Sequence, residues 1–203
     1  MKSGSRCLRL GLITLVLWGS DGSTAFADPP TQEIKKTTDR VIEILQDPMS
    51  SGDTKKAERR EMLRQALLPR FDFREMARRS LGSHWKSQNG RQEEFVSAFT
   101  NFVENAYVIK IESFKDEKII YGRERVEKDF AEVDTKIVPS KGDPFSINYK
   151  LHLVREQWKV YDMVVENISL VNNYRSQFNR ILTNTSFDEL LRKLREKGSE
   201  RGS

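Results

Sequence analysis

Apolar residues recur along the chain at two different spacings, and the change between them separates helical from β segments. Up to about residue 113 the apolar positions lie three or four residues apart, which predicts helices at 31–46, 54–68, 71–81 and 91–113. From Lys118 onward apolar and polar positions alternate, which predicts strands at about 118–125, 129–138, 145–154 and 158–165. Their links are too short to hold crossover helices, so we expect an antiparallel meander. Helical spacing returns at 169–198, behind the candidate caps Ser169 and Ser186. Asp72, near the start of the third predicted helix, is interpreted as a helix cap rather than a catalyst.

These elements predict an α+β fold in which helices pack on one four-stranded antiparallel sheet. The expected organisation is a single domain at 28–203, with a helical part to about residue 115, a sheet at about 116–166 and C-terminal helices at 169–198. A chain of this length buries enough surface for one core.

The last two predicted strands can be paired about the polar link 155–157. One register places the large apolar side chains on a single face, and a slip by one residue destroys it. Its pairs are Val154–Trp158, Leu151–Tyr161, Tyr149–Met163 and Ile147–Val165. On the other face Lys150 meets Asp162, which predicts an ion pair worth less than about 1 kcal/mol if it is exposed.

Two segments resemble a known family. WKVYD at 158–162, followed by VVENISLVNNYRSQF at 164–178, is similar to the C-terminal signature of the MlaC (toluene-tolerance) family of periplasmic lipid carriers. FDFREMARRSLGSHW at 71–85 resembles the Phe-Asp-Phe, Met-Ala, Leu-Gly and Trp pattern of the same family. One departure is Asn167, where the family pattern has Gly; Asn tolerates a left-handed backbone, so we expect the turn to survive.

This resemblance implies a curved NTF2-like or cystatin-like sheet that encloses an apolar cavity with the helices. It also implies an activity, in which glycerophospholipid moves between an inner-membrane transporter complex with an MCE-domain subunit and an outer-membrane lipoprotein-porin complex. Such transport maintains the lipid asymmetry of the outer membrane. The implied protein is a monomer that binds phospholipid, uses no other cofactor and binds no nucleic acid.

The candidate lipid-binding residues lie on the aromatic face of the fourth predicted helix, on the third helix, on the apolar face of the hairpin and on the helix after it. They are Phe73, Met76, Phe95, Phe99, Phe102, Val103, Tyr107, Tyr149, Leu151, Tyr161, Met163, Val165 and Tyr174. An aromatic stripe is typical both of an ordinary core and of a cavity wall, and the sequence alone does not choose between them.

Arg70, Arg74 and Arg78 recur every four residues and are predicted to form a basic ridge. One interpretation is a solvated face whose arginines pair with Glu75 and its neighbours. The other is a docking site for phosphate head groups or an acidic partner.

Residues 1–27 predict a cleaved signal peptide, because Lys2, Arg6 and Arg9 precede or flank a short apolar run and Ala25-Phe26-Ala27 follows it. Its removal leaves 176 of the 203 residues and no cysteine, and it lowers the formal charge from +5 to +3. This predicts a periplasmic protein without disulfides, too weakly basic to suggest a nucleic-acid partner.

Catalytic and metal-binding patterns are weak in this sequence. His84 and His152 are far apart and lack a ligand-spaced carboxylate, so no metal site is expected. Asp162 with Tyr161 is the strongest acid-base candidate, although the hairpin register favours a structural ion pair. The alternatives to a phospholipid carrier are a small periplasmic enzyme that uses the same cavity and a hopanoid-linked paralogue that carries another lipid.

Overall fold

The computed structural model describes residues 28–48, 53–112, 114 and 117–199, so the predicted signal peptide lies outside the described residues. Within these ranges the chain forms six α-helices and a sheet of five strands. The helices are α1 (Pro30–Gln46), α2 (Lys56–Leu67), α3 (Phe73–Leu81), α4 (Gln92–Glu112), α5 (Leu170–Asn184) and α6 (Phe187–Ser199). The strands are β1 (Lys118–Glu127), β2 (Phe130–Val138), β3 (Phe145–Val154), β4 (Gln157–Val165) and β5 (Ile168–Ser169).

The sheet confirms the predicted α+β class and the antiparallel meander, with strand order β1-β2-β3-β4-β5. The prediction of four strands was one short. Glu166 and Asn167 both have positive φ, 47° and 65°, and this tight turn folds the two residues of β5 back onto β4. Asn167 therefore adopts the left-handed backbone expected of it, and β5 is too short to show an apolar alternation of its own.

The β3–β4 hairpin follows the predicted register only in the half that is farther from its turn. Ile147–Val165, Tyr149–Met163 and Lys150–Asp162 pair as expected. Beyond them the register shifts, so that Leu151 pairs with Val160, and Leu153 with Trp158. The turn has two left-handed residues, Arg155 and Glu156, instead of a three-residue link. One residue of β4 is then left over, and Tyr161 occupies the resulting bulge.

Side chains cap three of the helices at the predicted residues. Asp72, Ser169 and Ser186 each accept a hydrogen bond from the backbone N–H three residues later, at 2.9, 3.0 and 3.2 Å. Because Asp72 is the cap, α3 begins at Phe73, and Arg70 lies in a separate short 3₁₀ turn, Leu68–Arg70.

Asp162 does not form the predicted ion pair with Lys150. Its carboxylate is 5% exposed, and it accepts hydrogen bonds from the Ser169 hydroxyl at 2.6 Å and from the Val171 backbone N–H at 3.1 Å. The Lys150 ammonium instead lies 3.8 Å from a carboxylate oxygen of Glu132 on β2. The cross-strand pairing therefore holds for the backbone, while the Asp162 side chain binds the first turn of α5.

Among the described residues, three apolar cores pack the helices and the sheet together. The first packs α3, α4, α5 and α6 around Phe95 and Phe99. The second covers the sheet and takes Ile34 from α1. The third joins the other half of α1 to α2 and α4 through Val41, Leu63 and their neighbours. Helix α1 thus belongs to two cores, one against the sheet and one against other helices.

We expect Asp162→Ala to lower the free energy of unfolding by about 2–3 kcal/mol. The change removes the buried carboxylate that accepts hydrogen bonds from the Ser169 hydroxyl and the Val171 backbone N–H at the start of α5. Lys150→Ala should change it by less than about 0.5 kcal/mol, since the Lys150 pair is partly exposed. Urea unfolding of both variants measures the difference. Equal losses would mean that the carboxylate acts through Lys150 after all.

Candidate functional site

A cavity of about 670 Å³ lies where the three cores meet. Its lining includes Met76 and Leu170 from the first core, Ile147 from the second, and Val41 and Val108 from the third. The three cores do not pack against one another here, so a space remains between them. The side chains that line this space are mostly aliphatic and aromatic. A pocket of this size and composition is suited to a largely apolar ligand.

Seven of the predicted lipid-binding residues line this cavity. They come from α3, the second half of α4 and the strands β3 and β4: Phe73, Met76, Val103, Tyr107, Tyr149, Met163 and Val165. Burial raises the pKa of Tyr149 above its ordinary value, so its phenol stays neutral. The structure brings these residues together from two layers, as the facing apolar patterns suggested.

Four predicted aromatic residues lie in the closed helical core instead. Phe95 and Phe99 are 0% exposed. The ring of Tyr174 meets those of Phe99 and Phe102 edge-on, with centroids 5.8 and 5.5 Å apart. The aromatic stripe of α4 is therefore divided, because its first half is covered by α5 and α6 and its second half faces the cavity.

The two remaining predicted residues, Leu151 and Tyr161, also lie outside the cavity lining. Leu151 is fully buried in the sheet core opposite Val160, and it does not reach the cavity. Tyr161 packs beneath the guanidinium of Arg79, 4.1 Å from its ring centroid, and beside the ring of His152. For Tyr161 the bulge is the reason, since the extra residue changes which β4 side chains share a face. Leu151 keeps the same face of β3 as Tyr149 and is covered there by the sheet core.

Sequence reasoning missed the wall formed by α1, the end of α2 and the 3₁₀ turn that follows α2. Its residues include Ile34, Thr37, Val41, Ile42, Leu45, Leu67 and Leu68. The sequence feature that could have indicated this wall is the incomplete apolar stripe of α1. Such a stripe is too narrow for a helix that is buried along its whole length. An incomplete stripe is also typical of a surface helix, so this signal alone does not identify a pocket.

Charged groups in the lining are mostly engaged with the protein itself. The Arg64 guanidinium donates to Asn105 Oδ1 at 2.7 Å and lies 3.7 Å from a carboxylate oxygen of Glu104. Burial raises the pKa of Glu104, and the nearby Arg64 only partly opposes this. Among the residues that the structure describes, no three potential metal ligands come together.

The mouth of the cavity lies between the end of α4 and the β4–β5 turn. Among the described lining residues, Lys110, Glu166 and Ile168 are the exposed ones, and Ile168 is 59% exposed. The two sides approach each other through the rings of Phe114 and Phe145, whose centroids are 6.5 Å apart. A ligand in the cavity therefore meets solvent at this end.

The predicted basic ridge is not one surface. Arg70 is 15% exposed, pairs with Glu33 of α1, and donates to the Trp158 carbonyl at 2.7 Å. Arg74 pairs with Glu93, and Arg78 holds Glu75 at 2.6 Å; both of these arginines are about half exposed. The four-residue spacing of the arginines predicted a shared helical face, but Arg70 precedes the start of α3. Its side chain instead points inward and links α1 to β4.

These elements define a class of protein, an α+β fold in which helices and an antiparallel sheet surround an apolar cavity. A model of the family described as MlaC protein matches residues 35–196, and the chain belongs to this family.

Two relatives extend the match over most of the chain. The chain is 24% identical over 184 residues to the intermembrane phospholipid transport system binding protein MlaC of Haemophilus influenzae, which covers 87% of this chain and 86% of that protein. A phospholipid-binding protein from Ralstonia solanacearum, solved in complex with a phospholipid, superposes with a TM-score of 0.74 and 20% identity. This match covers 87% of the present chain and all of that one, and it shows that the fold is shared.

We expect Arg70→Gln to lower the free energy of unfolding by about 2–3 kcal/mol, because it leaves Glu33 partly buried without its cation and the Trp158 carbonyl without its donor. Arg74→Gln is the matched control, since its pair with Glu93 is exposed and should contribute less than about 1 kcal/mol. Thermal unfolding of both variants, and of Arg70→Gln combined with Glu33→Gln, tests the difference. Similar small losses at the two arginines would contradict a structural role for Arg70.

Proposed function

We propose that this protein is a periplasmic carrier that holds the acyl chains of a glycerophospholipid in the cavity and shuttles the lipid between membranes. The observation that carries the proposal is an apolar cavity of about 670 Å³, open at one end, in a chain of the MlaC family. The names of the two relatives, which refer to phospholipid binding and intermembrane transport, support it.

The physics of such a carrier requires no energy source of its own. Burying an acyl chain releases about 0.8 kcal/mol per methylene relative to water, but almost nothing relative to an equally apolar bilayer. A lipid that leaves a membrane for this pocket therefore changes one apolar environment for another. The direction of transport must come from the complexes that load and unload the carrier.

We propose two docking partners, an inner-membrane transporter complex with an MCE-domain subunit and an outer-membrane lipoprotein-porin complex. Lipid exchange between them would maintain the asymmetry of the outer membrane. Arg74 and Arg78 remain the proposed docking residues, because both guanidinium groups reach solvent on α3. Arg70 is excluded from this surface by its burial against α1.

A binding role is supported over a catalytic one by the state of the strongest acid-base candidate. The Asp162 carboxylate is buried and hydrogen-bonded to the start of α5, and it does not line the cavity. Tyr161 also lies outside the cavity, against Arg79.

We expect Met163→Arg to keep a cooperative thermal unfolding transition and to lose the bound lipid. Met163 lines the cavity, so the guanidinium can occupy free space and reach toward the mouth. Leu151→Arg is the matched control on the neighbouring strand. Leu151 is fully buried without cavity space, so its replacement puts an unpaired cation into a packed core and should unfold the protein.

The readouts are thermal unfolding and native mass spectrometry of protein purified without detergent. Phe102→Trp should retain lipid, because Phe102 packs on Tyr174 outside the cavity. A wild-type protein that is consistently empty would contradict the carrier proposal. Normal lipid content in a folded Met163→Arg variant would show that the ligand lies elsewhere.

A further inference from the structure

Four hydroxyl groups belong to the described lining of the cavity, and three of them have partners inside the protein. Thr37 and Thr38 each donate a hydrogen bond to a backbone carbonyl of α1, at 3.1 Å. The Tyr107 hydroxyl is hydrogen-bonded to Tyr174. The fourth hydroxyl, that of Tyr149, has no hydrogen-bond partner among the described residues.

Apolar side chains surround Tyr149 on the inner face of the sheet. The residue is 9% exposed, and its cross-strand partners are Val133 on β2 and Met163 on β4. Its neighbours on the same face of β3 are Ile147 and Leu151. None of these four side chains carries an oxygen or a nitrogen, so none of them can satisfy the phenol.

The Tyr149 hydroxyl opens onto the cavity. Within the described part of the chain, Ser80 Oγ on α3 is the one side-chain oxygen or nitrogen that is completely enclosed and still lacks a partner. The Tyr149 oxygen also lacks a partner, so it is not completely enclosed, and the space beside it is the cavity that this residue lines.

The Tyr149 hydroxyl remains a hydrogen-bond donor at neutral pH. Burial and, to a smaller extent, the Tyr121 phenol raise the pKa of Tyr149, so the hydroxyl keeps its proton. A ligand that pairs with this hydroxyl therefore needs an acceptor, and it needs no charge.

An unpaired donor at this place disfavours any ligand that cannot accept its hydrogen bond. A buried polar group without a partner costs more than an average hydrogen bond contributes. A water molecule is poorly held here, because a buried water needs about two to four polar partners and the neighbours of Tyr149 are apolar. A hydrocarbon chain would exclude the water and still leave the hydroxyl unpaired.

A diacyl phospholipid carries suitable acceptors between its head group and its chains. If the chains fill the cavity and the charged head group stays in solvent, the ester carbonyl oxygens are the strongest acceptors that enter the apolar space. We infer that the Tyr149 hydroxyl donates a hydrogen bond to an ester carbonyl of the bound lipid, so that the cavity favours ester-linked over ether-linked lipids. This inference rests on the proposed carrier function and adds a residue that determines the class of lipid.

The test uses delipidated protein equilibrated with vesicles that contain equal amounts of a diester and a diether phosphatidylethanolamine of the same chain length. Native mass spectrometry gives the ratio of the two bound lipids. One neutral hydrogen bond corresponds to a factor of about three to ten, so the diester-to-diether ratio of the wild-type protein should exceed that of Tyr149→Phe by this factor. Comparing the two proteins cancels any difference in how readily the two lipids leave the vesicles. Tyr161→Phe removes a phenol hydroxyl outside the cavity lining, and this matched control should keep the wild-type ratio.

Thermal unfolding of the delipidated proteins separates this role from a structural one. Because the Tyr149 hydroxyl has no partner among the described residues, Tyr149→Phe should unfold at the wild-type temperature or slightly above it. A clear loss of stability would show that the hydroxyl serves the protein itself, and it would overturn the inference.

Equal lipid ratios for the wild-type protein and Tyr149→Phe would also overturn this inference, and they would leave the carrier function standing. Absence of both lipids from the wild-type protein would overturn the carrier function, and this inference with it.

Discussion

One buried carboxylate, that of Asp162, joins the sheet to α5. Asp162 stands near the end of β4 and accepts hydrogen bonds from Ser169 and from the first turn of α5. This contact sets the direction in which α5 leaves the sheet, and α5 then brings Tyr174 and Phe178 into the helical core. The same joint positions Leu170 in the cavity lining. The helical core and the floor of the pocket therefore depend on the same capping interaction.

The cavity exists because the apolar cores remain separate around it. Helix α1 packs on the sheet through Ile34 and on α2 and α4 through Val41, so it spans the space between these layers. Polar contacts hold its sheet-side half in place, among them the 2.6 Å hydrogen bond between Thr38 and Tyr121 and the pair of Glu33 with Arg70. Local polar contacts of this kind fix a helix without filling the space beside it. The cavity beside α1 therefore remains unfilled, although α1, which forms one of its walls, is fixed in position.

The proposed binding site has two regions, the apolar cavity and its solvent-exposed mouth. In the proposed carrier, the cavity takes acyl chains out of water with little dependence on their chemistry, since apolar burial is non-directional. Both regions use β4, because Met163 and Val165 line the cavity and Glu166 follows directly at the mouth. One short segment at the end of β4 therefore contributes both to the buried lining and to the exposed mouth.

The sequence by itself determined the order and type of the main helices and strands, the meander, the caps at Asp72, Ser169 and Ser186, and the family, because these depend on local periodicity and motifs. Only the tertiary structure decided how the stripe of α4 divides between core and cavity, because apolar spacing identifies a face but not what covers it. The bulge at Tyr161 depended on a two-residue left-handed turn, which shifted the register of half a hairpin. The partners of Asp162 and Arg70 were likewise decided in three dimensions, since a charged side chain binds whichever groups the fold brings within hydrogen-bonding distance.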